Sequence, residues 1–352
     1  MNLDPILAID IGAGTQDVLL YDPDQPMENA VKLVLPSPTR IAAYRIQAVT
    51  EKKKPLFLSG QVMGGGAVVR AVQNHLRQGL AVYSLEAPAL TMHDNLDYVR
   101  QMGLKLVEAR PDNEVMEVRL GDVDMPALSR ALANFEVALP ETTAIALQDH
   151  GFSPQASNRL TRFTEWRRFL EDDGKMDALL YTTPPPGLTR LAAAARAKPG
   201  CFLMDTGAAA LRGAILDEYA AQHFEEGLIA LNAGNSHTVA ALVKADQVWG
   251  IYEHHTHILN AALLSDQIKR FAQAALTHEE VFGQNGHGVA YHPGYRDLKP
   301  FKYIVITGPC RAVARNLGHP AAPYGEMMLT GCFGLVEAIR QHRKQGIQDH
   351  AK

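Results

Sequence analysis

The sequence predicts an α/β chain of two lobes with a cleft between them. Three observations point there. A strand–glycine–strand unit opens the chain at Ile6–Asp22 (ILAIDIGAGTQDVLLYD), and units of related form recur at Met204–Gly207 and Leu231–Thr238. Between them, short apolar strands alternate with helical segments, the pattern of βαβ units and a largely parallel sheet. At about 100–200 residues per domain, 352 residues suggest two domains. The hard stop at Pro184–Pro186 marks the passage between them, so the lobes are set at 1–185 and 186–352.

Two apolar runs around a glycine loop make Ile6–Asp22 a hairpin. An irregular, proline-bearing stretch follows. Pro55–Gly79 then reads as a strand (LFLS), a glycine loop (GQVMGGG) and a helix stopped by Gly79, a residue suited to the position after a helix end. The loop precedes a helix N-terminus and is a further anion-site candidate whose glycines could contact substrate, but it fits neither the dinucleotide GxGxxG spacing nor a P-loop, so a tight strand-to-helix turn is favoured. Leu80–Leu85, Leu104–Glu108, Val115–Leu120, Thr143–Gln148 and Ala178–Thr183 read as extended, and Asp94–Met102, Pro126–Phe135, Asn158–Leu170 and Leu188–Ala197 as helical. From Cys201 onward, short apolar strands separated by small residues read as antiparallel hairpins again. Ser265–Ala275 is helical, Tyr303–Thr307 (YIVIT) is a buried strand running into Gly308–Pro309, and Met327–Arg340 is a closing helix.

Composition bounds the function. The chain is 47% hydrophobic and 20% charged with a net charge of −4, so it has no positive excess to draw nucleic acid or an anionic membrane. Lys52–Lys54, a short basic run, reads as a solvated loop. Cys201, Cys310 and Cys332 are widely spaced and form no CxxC pair. That fits a reducing compartment and argues against a cysteine-ligated iron–sulfur cluster. No basic flank with an apolar stretch opens the chain, and no apolar run reaches the roughly 18–20 residues that span a bilayer. A cytoplasmic protein is expected, with a homodimer left open.

The repeated turn has a direct physical use. Glycines let backbone approach a ligand closely, and successive N–H groups in such a turn make an anion-binding concavity. Thr15 or Ser236 adds a hydroxyl donor, and Asp10 at the strand end can orient a metal-bound water, since Mg2+ keeps several waters and few carboxylates. A cleft flanked by two such turns can hold a polyphosphate from both sides.

On these residues AIDIGAGTQDVLLYD resembles the first phosphate motif of the actin-like ATPase superfamily, which includes acetate and sugar kinases, Hsp70 and actin. LNAGNSHTVAALVKADQVWGIYE is similar to the second phosphate motif in its acetate kinase style, and YIVITGPCRAVARN to the adenosine motif. The resemblance implies two ribonuclease H-like lobes with ATP and Mg2+ between them. It implies that Asp10, Gly12, Ala13, Gly14 and Thr15 meet metal and phosphate, that Asn232, Gly234, Asn235 and Ser236 meet the phosphates from the other lobe, and that Gly308 and Pro309 lie along the adenosine. The pattern departs from the family at Asn232, where an Asp is usual, and at Pro309, where a second glycine is usual. Asp205 and Gly207 offer a rival second motif. The whole chain, with GNSHT and EHHT, also resembles a prokaryotic family labelled pyruvate formate-lyase activating enzyme; that label implies a radical enzyme with an iron–sulfur cluster, which the cysteines oppose.

Fourteen histidines are a generous number, and several fall beside the motifs: His150, His237, His254, His255, His257, His287 and His292. In a strand, Glu253, His255 and His257 share one face. That set suits Zn2+ or Fe2+, since imidazole favours such metals. A histidine beside a phosphate turn, His237 or His150, could instead act as acid or base, as could Asp149, which follows a strand end, or Asp205. Three functions follow: phosphoryl transfer from ATP·Mg to a small acceptor or to water, a metal-dependent hydrolase or lyase step at the histidines, and a non-catalytic nucleotide-binding accessory role.

Overall fold

The computed structural model describes residues 4–111, 114–298 and 301–350. The chain begins with strands β1 (Ile6–Ile11), β2 (Thr15–Tyr21) and β3 (Val31–Pro36). It continues through α1 (Pro38–Glu51), β4 (Leu56–Gly60), α2 (Gly66–Arg77), β5 (Val82–Ser84), α3 (Glu86–Ala89), α4 (Leu96–Gln101), β6 (Leu104–Leu106), β7 (Met116–Leu120) and α5 (Met125–Ala133). Then come β8 (Thr142–Leu147), α6 (Asn158–Glu171), α7 (Thr189–Ala197), β9 (Phe202–Met204), α8 (Thr206–Ala214) and α9 (Glu218–His223). The rest is β10 (Leu228–Ala233), β11 (His237–Lys244), β12 (Gln247–His255), α10 (Ala261–Phe271), α11 (His278–Gly283), β13 (Gly288–Tyr291), β14 (Tyr303–Thr307), β15 (His319–Pro320) and α12 (Thr330–His350).

Two sheets repeat one plan. The first has the order β3-β2-β1-β8-β9, an antiparallel three-strand meander continued by two parallel strands. The second, β13-β12-β11-β10-β14-β15, has an antiparallel four-strand meander continued by two parallel strands. This is the actin-like fold of two ribonuclease H-like lobes. A third, all-parallel sheet, β6-β5-β4-β7, is inserted between β3 and β8 with its own core around Ile46, Leu58, Val68 and Val118.

The lobes exchange helices. The last helix, α12, follows the second sheet yet lies against β1, β2 and β8 of the first, while α8 follows the first sheet and reaches β10, β11 and β14 of the second. The two helices pack on each other where glycines allow the backbones to touch: a Cβ on Gly334 would stand 2.0 Å from the Ala209 carbonyl oxygen, and one on Gly213 1.8 Å from that of Thr330. One apolar core therefore runs through both lobes, from Ile6, Ala8 and Ala144 through Ala209 and Val336 to Ala230, Val239 and Val305.

Four expectations are corrected. The irregular stretch after Asp22 holds β3 and α1, with Pro38 in the first turn of α1, where its missing N–H costs nothing. Ala178–Thr183 is not a strand but a 3-10 turn over Met176–Leu179 followed by a single bridge, Tyr181 to Leu203. Asp205–Gly207 is not a hairpin turn: β9 runs straight into α8, and the Asp205 carboxylate caps that helix by accepting from Gly207 N at 2.9 Å. The first sheet takes its last strand from Phe202–Met204, beyond the boundary set at 185.

Candidate functional site

The two predicted hairpins have the same turn. Gly12 N donates to Thr15 O at 2.9 Å, and Gly234 N donates to His237 O at 3.0 Å. This matches Asp10 with Asn232 and Thr15 with His237. Among the described residues, the amides of Ala13, Gly14, Asn235 and Ser236 make no hydrogen bond. The turns come from opposite lobes and meet: a Cβ on Gly14 would lie 2.3 Å from Asn235 Nδ2, so only glycine lets them approach so closely.

Two adjoining cavities open at this meeting point. The smaller, about 70 Å3, is lined by Asp10, Thr15, Asp17, Gly308, Pro309 and Thr330. The larger, about 280 Å3, is lined by Ser236, His237, Asp149, His150, Thr206, Gly207 and Arg190. Gly12, Ala13, Asn232, Gly234 and Asn235 line both. Val62–Gly66 of the inserted part, the glycine loop expected as a simple turn, also walls the larger cavity.

Asp10 is buried and accepts from Thr206 Oγ1 at 2.5 Å. The hairpin register sets Asp17 directly opposite it, and Asp17 Oδ1 is buried without a partner. Burial pushes the Asp10 carboxyl up to about 7 against the Thr206 bond, with the charge of Asp205 adding to the rise. Burial and then the Asp10 charge push Asp17 up to about 8. Two carboxyls side by side at the wall of the smaller cavity suit a hard cation held partly through water.

Two other predicted acids are already committed. The Asp149 carboxylate accepts from the amides of Gly151 at 2.9 Å, Arg190 at 2.8 Å and Leu191 at 3.0 Å, tying β8 to α7. Asp205, besides capping α8, accepts from Arg162 at 2.8 and 3.2 Å.

The predicted metal set of Glu253, His255 and His257 does not form. β12 ends at His255, and the chain turns into a 3-10 segment over Thr256–Ile258, so the strand alternation stops before His257, which is exposed. Glu253 joins His150, His237 and His287 instead, with one ligand atom from each lying within 4.8 Å of the others. His150 Nε2 and His287 Nε2 are 3.2 Å apart. The rings of His237 and His287 have centroids 4.7 Å apart, and His255 packs at the rim of the group at 4.8 Å from His237. Burial holds His150 well below the ordinary imidazole range, lowers His287, and brings His237 down to about 4.

Arg162, absent from the expected site, organises its floor. It is 4% exposed, and its Nε donates to Glu253 Oε2 at 2.6 Å while Nη1 donates to Asp205 at 2.8 Å and to the Asp149 carbonyl at 3.1 Å. Against the cost of burial, Arg162 holds the Glu253 carboxylate below its ordinary range. Gln148 Nε2 and Trp166 Nε1 also donate to Glu253, at 2.8 and 3.3 Å. One signal could have found Arg162: it sits on the same face of α6 as Trp166 and Leu170, the buried one. Counting back from the turn could have found Asp17 opposite Asp10.

A family model described as "Putative pyruvate format-lyase activating enzyme (DUF1786)" matches residues 63–313, and the chain belongs to that family. The iron–sulfur cluster implied by that label does not fit the thiols here. Cys201 and Cys332 are buried with their pKa raised by burial, and among the described residues no cysteine joins a group of candidate ligands. No curated protein matches the chain. Similar solved structures include the ethanolamine utilization protein EutJ from Carboxydothermus hydrogenoformans, 10% identical with a TM-score of 0.29 over 95% of this chain and 90% of that one. The activator of the 2-hydroxyisocaproyl-CoA dehydratase from Clostridium difficile with bound ADPNP is 8% identical, with a TM-score of 0.32 over 97% of each chain. The ROK hexokinase from Thermus thermophilus is 11% identical, with a TM-score of 0.30 over 96% of this chain and 88% of that one. Likenesses this distant say nothing of what this chain binds. Among the described residues, no helix is long and apolar enough to cross a membrane.

Proposed function

We propose that the cleft binds ATP with Mg2+ and that the chain moves the terminal phosphoryl group to a small acceptor or to water. One observation carries this reading: two turns of the same hydrogen-bond pattern, one from each lobe, meet with Gly14 against Asn235 and leave four amides unpaired. Ala13, Asn235 and Ser236, three of the four, line the cavities, and unpaired amides gathered around a cavity are anion sites. The partnerless oxygen of Asp17, facing Asp10, supports a cation beside them.

In this reading the amides of Ala13, Gly14, Asn235 and Ser236 hold the phosphates, with the Thr15 and Ser236 hydroxyls near them. Asp10 and Asp17 hold Mg2+ through water, and Gly308 and Pro309 flank the nucleoside. Bound ATP·Mg supplies the transferable phosphoryl group, and the protein's share is positioning and charge neutralisation. The commitments of Asp149 and Asp205 to fixed donors support His237, at the cleft wall, as the proton acceptor. The acceptor would occupy the larger cavity, between the histidines and the inserted glycine loop.

The test is thermal unfolding of the full chain with ATP and Mg2+, alongside phosphate release. Saturation at about 100 times the dissociation constant adds about 2.7 kcal/mol of stability. No stabilisation by any nucleotide sinks the proposal. Asn232, in the place that Asp10 holds in the other turn, favours a second reading, in which nucleotide is bound without turnover. Stabilisation with no phosphate released under any acceptor would select that accessory role.

A further inference from the structure

We infer that His150, His237 and His287, with Glu253, form a binding site for a divalent transition metal of the zinc class in the cleft wall. The four side chains come from four separate places in the fold. His150 follows β8, His237 opens β11, Glu253 lies in β12, and His287 immediately precedes β13. Nothing local in the chain brings them together; the assembled lobes do.

The spacing suits a small cation. His150 Nε2 and His287 Nε2 share a hydrogen bond at 3.2 Å, close to the separation of about 3.3 Å between two ligands of a tetrahedral site with metal–nitrogen bonds of about 2.0–2.1 Å, so a metal would take the place of that shared proton. Both ring nitrogens of His237 and Nδ1 of His287 are buried and have no hydrogen-bond partner among the described residues. Buried polar atoms left unpaired cost free energy, and a metal would take one of the two His237 nitrogens.

Charge points the same way. Beneath the histidines, one buried cation, Arg162, faces two carboxylates, Asp205 and Glu253. The trio carries one negative charge in excess, with Arg159, which donates to the Gly286 carbonyl, as a further cation nearby. Glu253 Oε1 accepts only from Gln148, so a lone pair remains for a metal. Gln148, Trp166 and Arg162 would then fix the ligand's orientation from behind. His150 and His237 line the larger cavity while His287 and Glu253 lie behind them, so an open coordination position would face the cleft. The ligand it would take is an oxygen donor: water, or the carboxylate or hydroxyl of a small molecule. The site does not depend on nucleotide binding, but it excludes His237 as that reading's proton acceptor, since an imidazole bound to metal has no lone pair left to take a proton.

The experiment strips the purified full chain with a chelator and titrates it with Zn2+ and with Co2+ as a spectroscopic stand-in. Elemental analysis gives the stoichiometry, the visible spectrum of Co2+ the coordination number, and X-ray absorption the ligand type. The expected result is a single metal per chain with imidazole scattering. His237→Ala and His287→Ala should each weaken binding at least tenfold, while His257→Ala leaves it unchanged. Failure to bind either metal, or binding undiminished in both variants, overturns the site. If the alanine variants do not fold, His237→Gln and the wild-type absorption spectrum decide: imidazole ligation supports the site, and a shell without imidazole overturns it. ATP stabilisation measured in the same stripped chain separates loss of this site from loss of nucleotide binding.

Discussion

At the scale of single residues, Gly14 sets how the two turns meet. Its missing side chain is what lets the two turns touch, so Gly14→Val should push Asn235 aside and open the pair. The expected outcome is at least a tenfold loss of nucleotide affinity, read as a smaller ATP-induced shift in melting temperature, with the unliganded melting point little changed. Arg162 is the opposite case, a residue that matters to stability first. Arg162→Met leaves Asp205 and Glu253 buried without their cation, which should cost about 3–5 kcal/mol in urea unfolding. Arg168→Met breaks an ion pair of the same helix whose side chains are mostly in water, and should cost less than about 1 kcal/mol. Residues legible in the sequence were those whose role is local: Asp10, Gly12, Gly14 and Asn235 belong to turns that declare themselves over a few positions. Asp17 needed only the register of that first hairpin, whereas Arg162 and the pairing of His287 with His150 act through partners far along the chain, which a pattern read over short windows does not show.

At the scale of elements, the inserted sheet carries a pH-sensitive post. His75 of α2 is fully buried, and its Nδ1 lies 2.8 Å from Thr50 Oγ1 of α1. Burial lowers its pKa, so the folded chain keeps it neutral. The unfolded chain takes up a proton as pH falls below about 6.5. The stability from the neutral ring is thus complete above that pH and is lost below it, at up to about 1.4 kcal/mol per pH unit. The opening free energy of α1 and α2, taken from hydrogen exchange after correction for the intrinsic rate at each pH, should fall between pH 7 and pH 5, and His75→Gln should flatten the change; an unchanged slope in the variant would remove His75 as the cause. The helix α2 was legible because apolar spacing, a glycine start and Gly79 agree. The segment after Met204 was misread because an Asp followed by a Gly opens both hairpins and helices. What decides is the next stretch, AALRGA, whose alanines favour helix. The helix α1 was hidden by Pro36 and Pro38, which read as breakers although they stand at a strand end and in a helix's first turn.

At the scale of the molecule, the exchanged helices weld two lobes into one cooperative unit, whereas the inserted sheet keeps a core of its own. Native-state hydrogen exchange should therefore give β1, β8, β10 and β14 a common opening free energy, and β4 to β7 a lower one. Equal values across all three sheets would contradict that division. Sequence periodicity announced the alternating elements and the duplication of the turn. It could not announce which sheet each closing helix covers: α8, made of small residues buried on every side, read as a hairpin, and α12 read as a helix with no sheet assigned to it.

The crossing of α8 and α12 at Gly213 and Gly334 also limits how this protein can move. Backbones held in direct contact act as a rivet: the halves can swivel about that point and cannot slide or part. Any response to a bound molecule must be a rotation that swings the far rims of the cleft and barely stirs the two turns nearest the axle. Gly334→Val would wedge the rivet, at a cost of about 1–3 kcal/mol, and should stiffen the swing measured between spin labels on the rims while leaving their average separation in the free protein shifted.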